Sequence, residues 1–171
     1  MKTLKSWTLD RQLPNGVELR IEDRHILRVV ALEDQLFRVS LKKNGAWRLP
    51  RTWSIAPTTD VPWEGRDRDD MSGFGSPEVT INNAEVLTLT TNRLRLTISH
   101  PLRLSWAAKV DDTWQTFVEE RPTGGMLLGL QDQQHSHFLR RYAREPGHGL
   151  GEKTGPLNRS GRHFEMRNLD A

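Results

Sequence analysis

Cysteine is absent from this 171-residue sequence, and hydrophobic residues are few. The lack of cysteine excludes disulfides and thiolate metal sites. No apolar run approaches the roughly 20 residues that a membrane-spanning helix needs. A hydrophobic content of 35% and a mean hydropathy of −0.67 predict a soluble protein with a large polar surface. Residues 1–13 carry charges where a signal peptide would be apolar, so the default expectation is a cytoplasmic location without a membrane partner.

The net charge is also small, +3 from 25 basic and 22 acidic residues. Removing the seven basic and four acidic residues from position 140 onward leaves 18 of each sign, so all of the net charge lies in the tail. A basic tail is a common footprint of nucleic-acid binding. Here acids and glycines are interleaved with the basic residues and no aromatic series accompanies them, so we predict no nucleic-acid partner. The basic residues are Arg140, Arg141, Arg144, Lys153, Arg159, Arg162 and Arg167.

Helical periodicity is missing, and short alternating segments take its place. Residues 17–22 alternate apolar and charged side chains, which predicts a half-buried strand with Val17, Leu19 and Ile21 facing inward. The sequence predicts nine or ten short strands and few or no helices in a single domain, 1–171, which is typical of an antiparallel β-sandwich. The other strands are predicted at 25–32, 36–41, 86–90, 94–98, 102–107, 114–119 and 135–144, with 126–131 either strand or coil.

Residues 44–77 have a different composition. They contain four of the nine prolines and three tryptophans (Trp47, Trp53 and Trp63). We interpret them as a long excursion with a short strand at 52–55, packed against the surface or a partner. The charge run at 66–70 reads most simply as a solvated loop.

Two of the six histidines, His135 and His137, are spaced to point to the same side of a strand, as metal ligands could. No third ligand is evident nearby, so two partly exposed strand residues are the simpler interpretation. Sugar epimerases of the mutarotase type use paired histidines with a carboxylate, which keeps a mutarotase-like epimerase open as an alternative. The six tryptophans could stack sugars, which keeps a free-standing carbohydrate-binding module open as well.

The glycine-rich segment 148–171 fails the spacing of nucleotide-binding motifs. A phosphate loop needs glycine directly before its Lys-Thr pair, and Glu152 stands there instead.

Paired carboxylates for glycoside chemistry are also not found elsewhere in the chain. Asp111 and Asp112 are chain neighbours, as are Glu119 and Glu120, and neighbours face opposite ways in an extended backbone. The sequence therefore predicts no cofactor and no metal.

The glycine-rich segment 148–171 resembles glycoside hydrolase family 31, the family of α-glucosidases and α-xylosidases. The resemblance rests on the run G-L-G-E-K-T-G at 149–155 and on the N-x-D motif at 168–170, which Ala171 follows. It implies an N-terminal sandwich of galactose-mutarotase-like architecture, and the strands within 17–41 and the segment 52–57 fit that pattern loosely. Further matching residues are Arg159, Gly161 and Arg162.

In such enzymes the catalytic aspartates belong to a (β/α)8 barrel that follows the sandwich. The resemblance therefore implies a non-catalytic domain, incomplete at its C-terminus, whose partners are the barrel and, through the parent enzyme, α-glycoside sugars. Truncation of this kind would expose an unpaired sheet edge and apolar surface. We therefore expect self-association through that edge, or partial disorder of the tail.

The resemblance also implies site residues. Asp170 would accept hydrogen bonds from sugar hydroxyls, and Asn168 would shape its loop. Gly149, Gly151 and Gly155 would supply tight turns beside the barrel, where β-carbons would obstruct. Two residues at the motif depart from the family pattern. Arg167, before the motif, replaces an aromatic residue that is often found before the Asn, and Leu169, within it, provides no charged partner for Asp170.

Overall fold

The computed structural model describes residues 1–129, 134–143, 145–151 and 154–165, and forms two compact units, Met1–Arg140 and Arg141–Ala171. Fourteen strands and a single 3-10 turn (Lys43–Gly45) are defined in the described residues. The strands are β1 (Lys2–Thr3), β2 (Trp7–Leu13), β3 (Gly16–Ile21), β4 (His25–Glu33), β5 (Leu36–Lys42), β6 (Arg51–Thr52), β7 (Arg66–Asp67), β8 (Thr80–Asn83), β9 (Leu87–Thr90), β10 (Leu94–Ser99), β11 (Arg103–Val110), β12 (Thr113–Glu119), β13 (Met126–Leu128) and β14 (His135–His137).

Two antiparallel sheets dominate the first unit, one with the strand order β2-β3-β4-β5 and one with the order β12-β11-β10-β9-β8. A third sheet, β1-β13-β14, and a two-stranded ribbon, β6-β7, complete it. Side chains from both large sheets form one buried core, as the two layers of a sandwich must. Val17, Leu19 and Ile21 have no exposed surface, so the predicted inward face of this strand is confirmed, as is the all-β antiparallel sandwich.

Short turns join the strands of the larger sheets, because tight hairpins match the twist of antiparallel pairs. Leu13 faces Gly16 across the first hairpin, so the loop residues are Pro14 and Asn15. The buried Asn15 amide donates to the carbonyl of Ala31 at 2.8 Å, which ties this turn to β4. The Asn-Gly pair in the sequence predicts a turn at Asn15 and Gly16. In the structure, the chain turns one residue earlier and Gly16 already belongs to β3.

Several strands were not predicted from the sequence. The polar edge strand β2 lacks a regular alternation because a register shift falls between Leu9 and Arg11. The strands β1 and β8 are too short and too polar to give a pattern. The strand predicted at 135–144 was too long, since its described residues, 135–143, are regular only over β14 and then make one isolated bridge from Leu139 to Glu120.

The predicted excursion covers the outer face of the four-stranded sheet through a cluster of charges around Asp69. The Asp69 carboxylate accepts hydrogen bonds from Arg28 at 2.6 Å, Lys42 at 2.9 Å and the Trp47 indole at 3.0 Å. The interpretation of 66–70 as a solvated loop was wrong for Arg66, which pairs in β7, and for Asp69, which anchors this cluster. Asp67 and Asp70 are exposed. Charged side chains on the outer face of the sheet therefore hold the excursion in place.

Asp69→Asn is expected to lower the free energy of unfolding by about 1–2 kcal/mol at neutral pH, since it weakens charge-assisted hydrogen bonds. Burial works to raise the pKa of Asp69, but hydrogen bonds from Lys42 and Trp47 and the charge of Arg28 hold this pKa below its ordinary value. The stabilisation is therefore present at neutral pH and lost as the pH falls through the lowered pKa.

Urea unfolding followed by tryptophan fluorescence measures this loss. Asp112→Asn is the matched control, because Asp112 makes an ion pair on a side chain that is 94% exposed. Equal destabilisation by the two variants would contradict the anchoring role of Asp69.

Candidate functional site

The buried carboxylate Glu120 joins β14 to the end of β12 and to β11. Its side chain is 1% exposed, and one oxygen accepts a hydrogen bond from the backbone N–H of Leu104 at 2.9 Å. The other oxygen lies 2.6 Å from Nε2 of His137. A β-carbon at Gly125 would stand 2.3 Å from Cδ of Glu120, so glycine at that position leaves the space that the carboxylate fills.

Burial raises the pKa of Glu120, although the hydrogen bonds from Leu104 and His137 act in the opposite direction. Glu120 therefore holds its proton more tightly than an exposed glutamate does. The His137 side chain is half exposed, so it is the only member of the pair that a molecule in solution could touch. The Glu120 carboxylate can orient the His137 imidazole, as carboxylates do for histidines in many sites.

His135 lies two residues before His137 on β14, opposite Leu128, and both histidines are exposed. The structure thus brings His137 together with a carboxylate, Glu120, that sequence reasoning had not connected with the histidines. Within the described residues, no group of three or more His, Asp or Glu side chains is arranged to hold a metal ion. Glu120 could act on a substrate only through His137, because its own oxygens are buried.

In the second unit, backbone and side-chain hydrogen bonds close a loop at its base. The backbone N–H of Gly147 donates to Oγ of Ser160 at 2.7 Å and to Oδ1 of Asn158 at 3.1 Å. The N–H of Arg159 returns a bond to the carbonyl of Gly147 at 2.6 Å. This closed loop, 147–160, contains the G-L-G run on which the family resemblance partly rests.

The three predicted loop-shaping glycines have backbone conformations that favour glycine. Their φ angles are +97° at Gly149, +67° at Gly151 and +113° at Gly155. A β-carbon at Gly149 or Gly151 would meet nothing within 4 Å. The positive φ angle, and not crowding by neighbouring atoms, therefore accounts for glycine at these two positions in this chain. Asn168 and Asp170 lie outside the described residues, and their roles stay predictions.

From the sequence, at least half of the six tryptophans are expected to fill the core, and the structure places fewer of them there. Trp7 is a member of the core and Trp106 packs against it. Trp53 and Trp63, in contrast, are 62% and 86% exposed. The proline-rich composition around these two residues was the available signal that they do not belong to a strand of the core.

Fold and site together define an antiparallel β-sandwich domain with a glycine-rich C-terminal loop. A family model described as the glycosyl hydrolase 31 N-terminal galactose mutarotase-like domain matches residues 26–171. The chain belongs to this family, which confirms the resemblance inferred from the sequence. A search of the curated proteins found no match.

Membership of this family gives the chain a non-catalytic role in a family 31 protein. The match begins within β4 and so extends far beyond the C-terminal motif that first indicated it. Among the described residues, no helix is long and apolar enough to cross a membrane.

Proposed function

We propose that this domain packs on the catalytic barrel of a family 31 α-glycosidase and contributes a loop that contacts the substrate. The observation that carries the proposal is the family match, which runs through the segment containing Asp170. Hydrolysis of an α-glucoside or related sugar would belong to the barrel. The domain would position its loop beside the reacting sugar.

Exposed apolar side chains near the end of the chain support a docking role. Phe138 and Leu139 are 40% and 51% exposed at the end of the first unit, and Leu157 is 83% exposed in the closed loop of the second. Within each unit, such side chains are available for burial against another surface. A barrel surface would bury them.

Asp170→Ala in the full-length family 31 protein is expected to lower kcat/KM for the sugar substrate roughly 10- to 100-fold. Hydrogen bonds to a charged group contribute about 1.5–3 kcal/mol, and each 1.4 kcal/mol is about tenfold. Steady-state kinetics on a chromogenic α-glucoside and α-xyloside measure the effect.

Glu85→Gln provides the control for this measurement, since Glu85 is an exposed carboxylate before β9. A kcat/KM unchanged within about twofold in the Asp170 variant would contradict substrate contact. A reading frame that encodes no barrel in the same protein would contradict the proposal as a whole.

A second candidate, a mutarotase-like epimerase, is favoured by the 2.6 Å contact between Glu120 and His137 and by the adjacent His135. Polarimetry on freshly dissolved glucose and galactose tests it. Our main proposal expects no interconversion of anomers above the rate in buffer. A rate that His137→Ala abolishes would favour the epimerase instead.

A further inference from the structure

A small cavity lies beside the turn that joins β3 to β4, and it takes no part in the function proposed above. Its described lining brings together residues from β1, from this turn, from the 3-10 turn and from the end of β13. The cavity has a volume of about 100 Å³, which is the share of roughly three water molecules in the liquid. Drug-sized ligands need about 300 Å³ or more, so only a small group fits inside.

His25, the first residue of β4, supplies a hydrogen-bond donor to this cavity. The residue is only 4% exposed, and its Nδ1 accepts a hydrogen bond from the backbone N–H of Asn44 at 2.9 Å. Because a backbone N–H can only donate, the neutral ring carries its proton on Nε2. No described residue accepts a hydrogen bond from this Nε2–H.

The Nε2 atom of His25 can also be reached from the cavity. In the part of the chain that the structure describes, the side-chain nitrogens and oxygens that are sealed from solvent without a partner belong to Arg28 and Arg38. Nε2 of His25 therefore keeps access to solvent, and the ring lines the cavity. A buried imidazole thus offers its N–H to whatever enters.

Two hydrogen bonds hold cationic side chains at the same cavity. Nε of Arg24 donates to Oδ1 of Asn44 at 3.2 Å, and Nζ of Lys43 lies 3.5 Å from the carbonyl oxygen of Gly129. Burial lowers the pKa of His25, and the charges of Arg24 and Lys43 lower it further. The imidazole therefore stays neutral at physiological pH, with positive charge around it.

Glu22 is the acidic member of the described lining, and its partners already balance its charge. The Glu22 carboxylate accepts hydrogen bonds from Nζ of Lys2 at 2.6 Å and from two backbone N–H groups at 2.8 and 3.0 Å. These bonds lower the pKa of Glu22 to about 2, so it is ionised and paired with Lys2 at neutral pH. Arg24 and Lys43 then give the described lining a charge of +2.

We infer that this cavity, the His25 pocket, binds a phosphate group, either as the free ion or as a monoester. A phosphate monoester carries a charge of about −1.5 to −2 at neutral pH and three strong acceptor oxygens. This charge matches that of the described lining. The His25 N–H, the Arg24 guanidinium and the Lys43 ammonium are the donors that such oxygens require.

Other ligands fit the His25 pocket less well. A carboxylate has one charge and two oxygens, so it would leave part of the positive charge unbalanced. A metal ion would be repelled by Arg24 and Lys43. The pocket uses no residue of the C-terminal segment on which the proposed function rests, so a negative result here leaves that proposal standing.

Isothermal titration of the 171-residue chain with inorganic phosphate, glycerol 3-phosphate and acetate tests the inference, at neutral pH and at an ionic strength held constant with chloride. At least one of the two phosphate compounds is expected to bind saturably with a Kd of roughly 0.1–1 mM. Tighter binding of the ester would identify a phosphorylated molecule as the ligand, and tighter binding of inorganic phosphate would identify the free ion. Acetate binding as tight as that of phosphate would overturn the inference, as would no saturation by either phosphate compound at about 10 mM.

Arg24→Gln is expected to weaken phosphate binding about tenfold, because hydrogen bonds between charged groups are the strong ones. Arg48→Gln is the matched control, since Arg48 is exposed and does not line the pocket. The control makes the same change in net charge and should leave the affinity unchanged within about twofold. Equal losses in the two variants would overturn the inference, because they would show only a general attraction of anions to a basic protein.

Two substitutions of His25 test the imidazole donor itself. His25→Asn keeps an oxygen that can accept from the N–H of Asn44 but removes the ring Nε2–H, so it should weaken phosphate binding about tenfold. His25→Gln places an amide N–H near the position of Nε2 and should weaken binding less. Urea unfolding shows whether these variants fold, and if they do not, the comparison of the Arg24 and Arg48 variants decides. Unchanged phosphate affinity in a folded His25→Asn variant would contradict the role of the imidazole.

Discussion

Gly16→Ala is expected to destabilise the domain by more than about 3 kcal/mol or to prevent its folding. A β-carbon at this buried position would lie 2.0 Å from the carbonyl oxygen of Val29 and 2.8 Å from Cα of Val30. Both contacts are with the backbone of β4, which is paired on both sides in its sheet. No side-chain rotation can relieve the clash, so the β3–β4 pairing itself would have to shift.

Gly149→Ala is the matched comparison for this variant. Gly149 has a φ of +97° and no atom within 4 Å of the added carbon, so alanine there should cost only about 1 kcal/mol. Urea unfolding of both variants, together with the yield of folded protein, measures the difference. Similar losses would show that close approach to β4 is not what requires Gly16.

Glu120→Ala is expected to cost about 3 kcal/mol. It leaves the N–H of Leu104 buried without its acceptor, and it opens a cavity where the carboxylate lies. Glu120→Gln keeps the shape and an acceptor oxygen, so its cost should be smaller. His137→Ala removes only the half-exposed partner and should cost about 1 kcal/mol.

The same residue gives a pH dependence of defined sign. Because burial raises the pKa of Glu120, the folded state holds this proton more tightly than the unfolded state does. The contribution of Glu120 to stability therefore falls as the pH rises from the ordinary carboxyl value, about 4.3, through the raised pKa. The stability advantage of wild type over Glu120→Gln should shrink across this window, and an advantage constant with pH would contradict a raised pKa.

Local pattern was sufficient for part of the core, the inward face of β3. The alternation that predicts Val17, Leu19 and Ile21 as buried depends only on the two-residue period of a strand and on which face meets the core. The family was likewise readable from a short motif, because the run at 149–155 resembles the one that family members carry. Its three glycines all have positive φ angles in the structure.

Contacts between distant residues were not readable in this way. Glu120 and His137 are 17 positions apart and meet only because β14 folds back beside the end of β12. Asp69 belongs to a charge run that looks solvated until the outer face of the four-stranded sheet supplies Arg28 and Lys42. The hydrophobicity of tryptophan predicts burial in the core. Only the tertiary fold determines that the Trp63 side chain lies outside the core and is exposed.

Closure at the base of the loop 147–160 separates the two ends of the loop from the glycine-rich run between them. The bonds from Gly147 to Asn158 and Ser160 join those ends directly. Because the ends are already joined, a neighbouring surface that orders the run meets only the entropy cost of a closed loop.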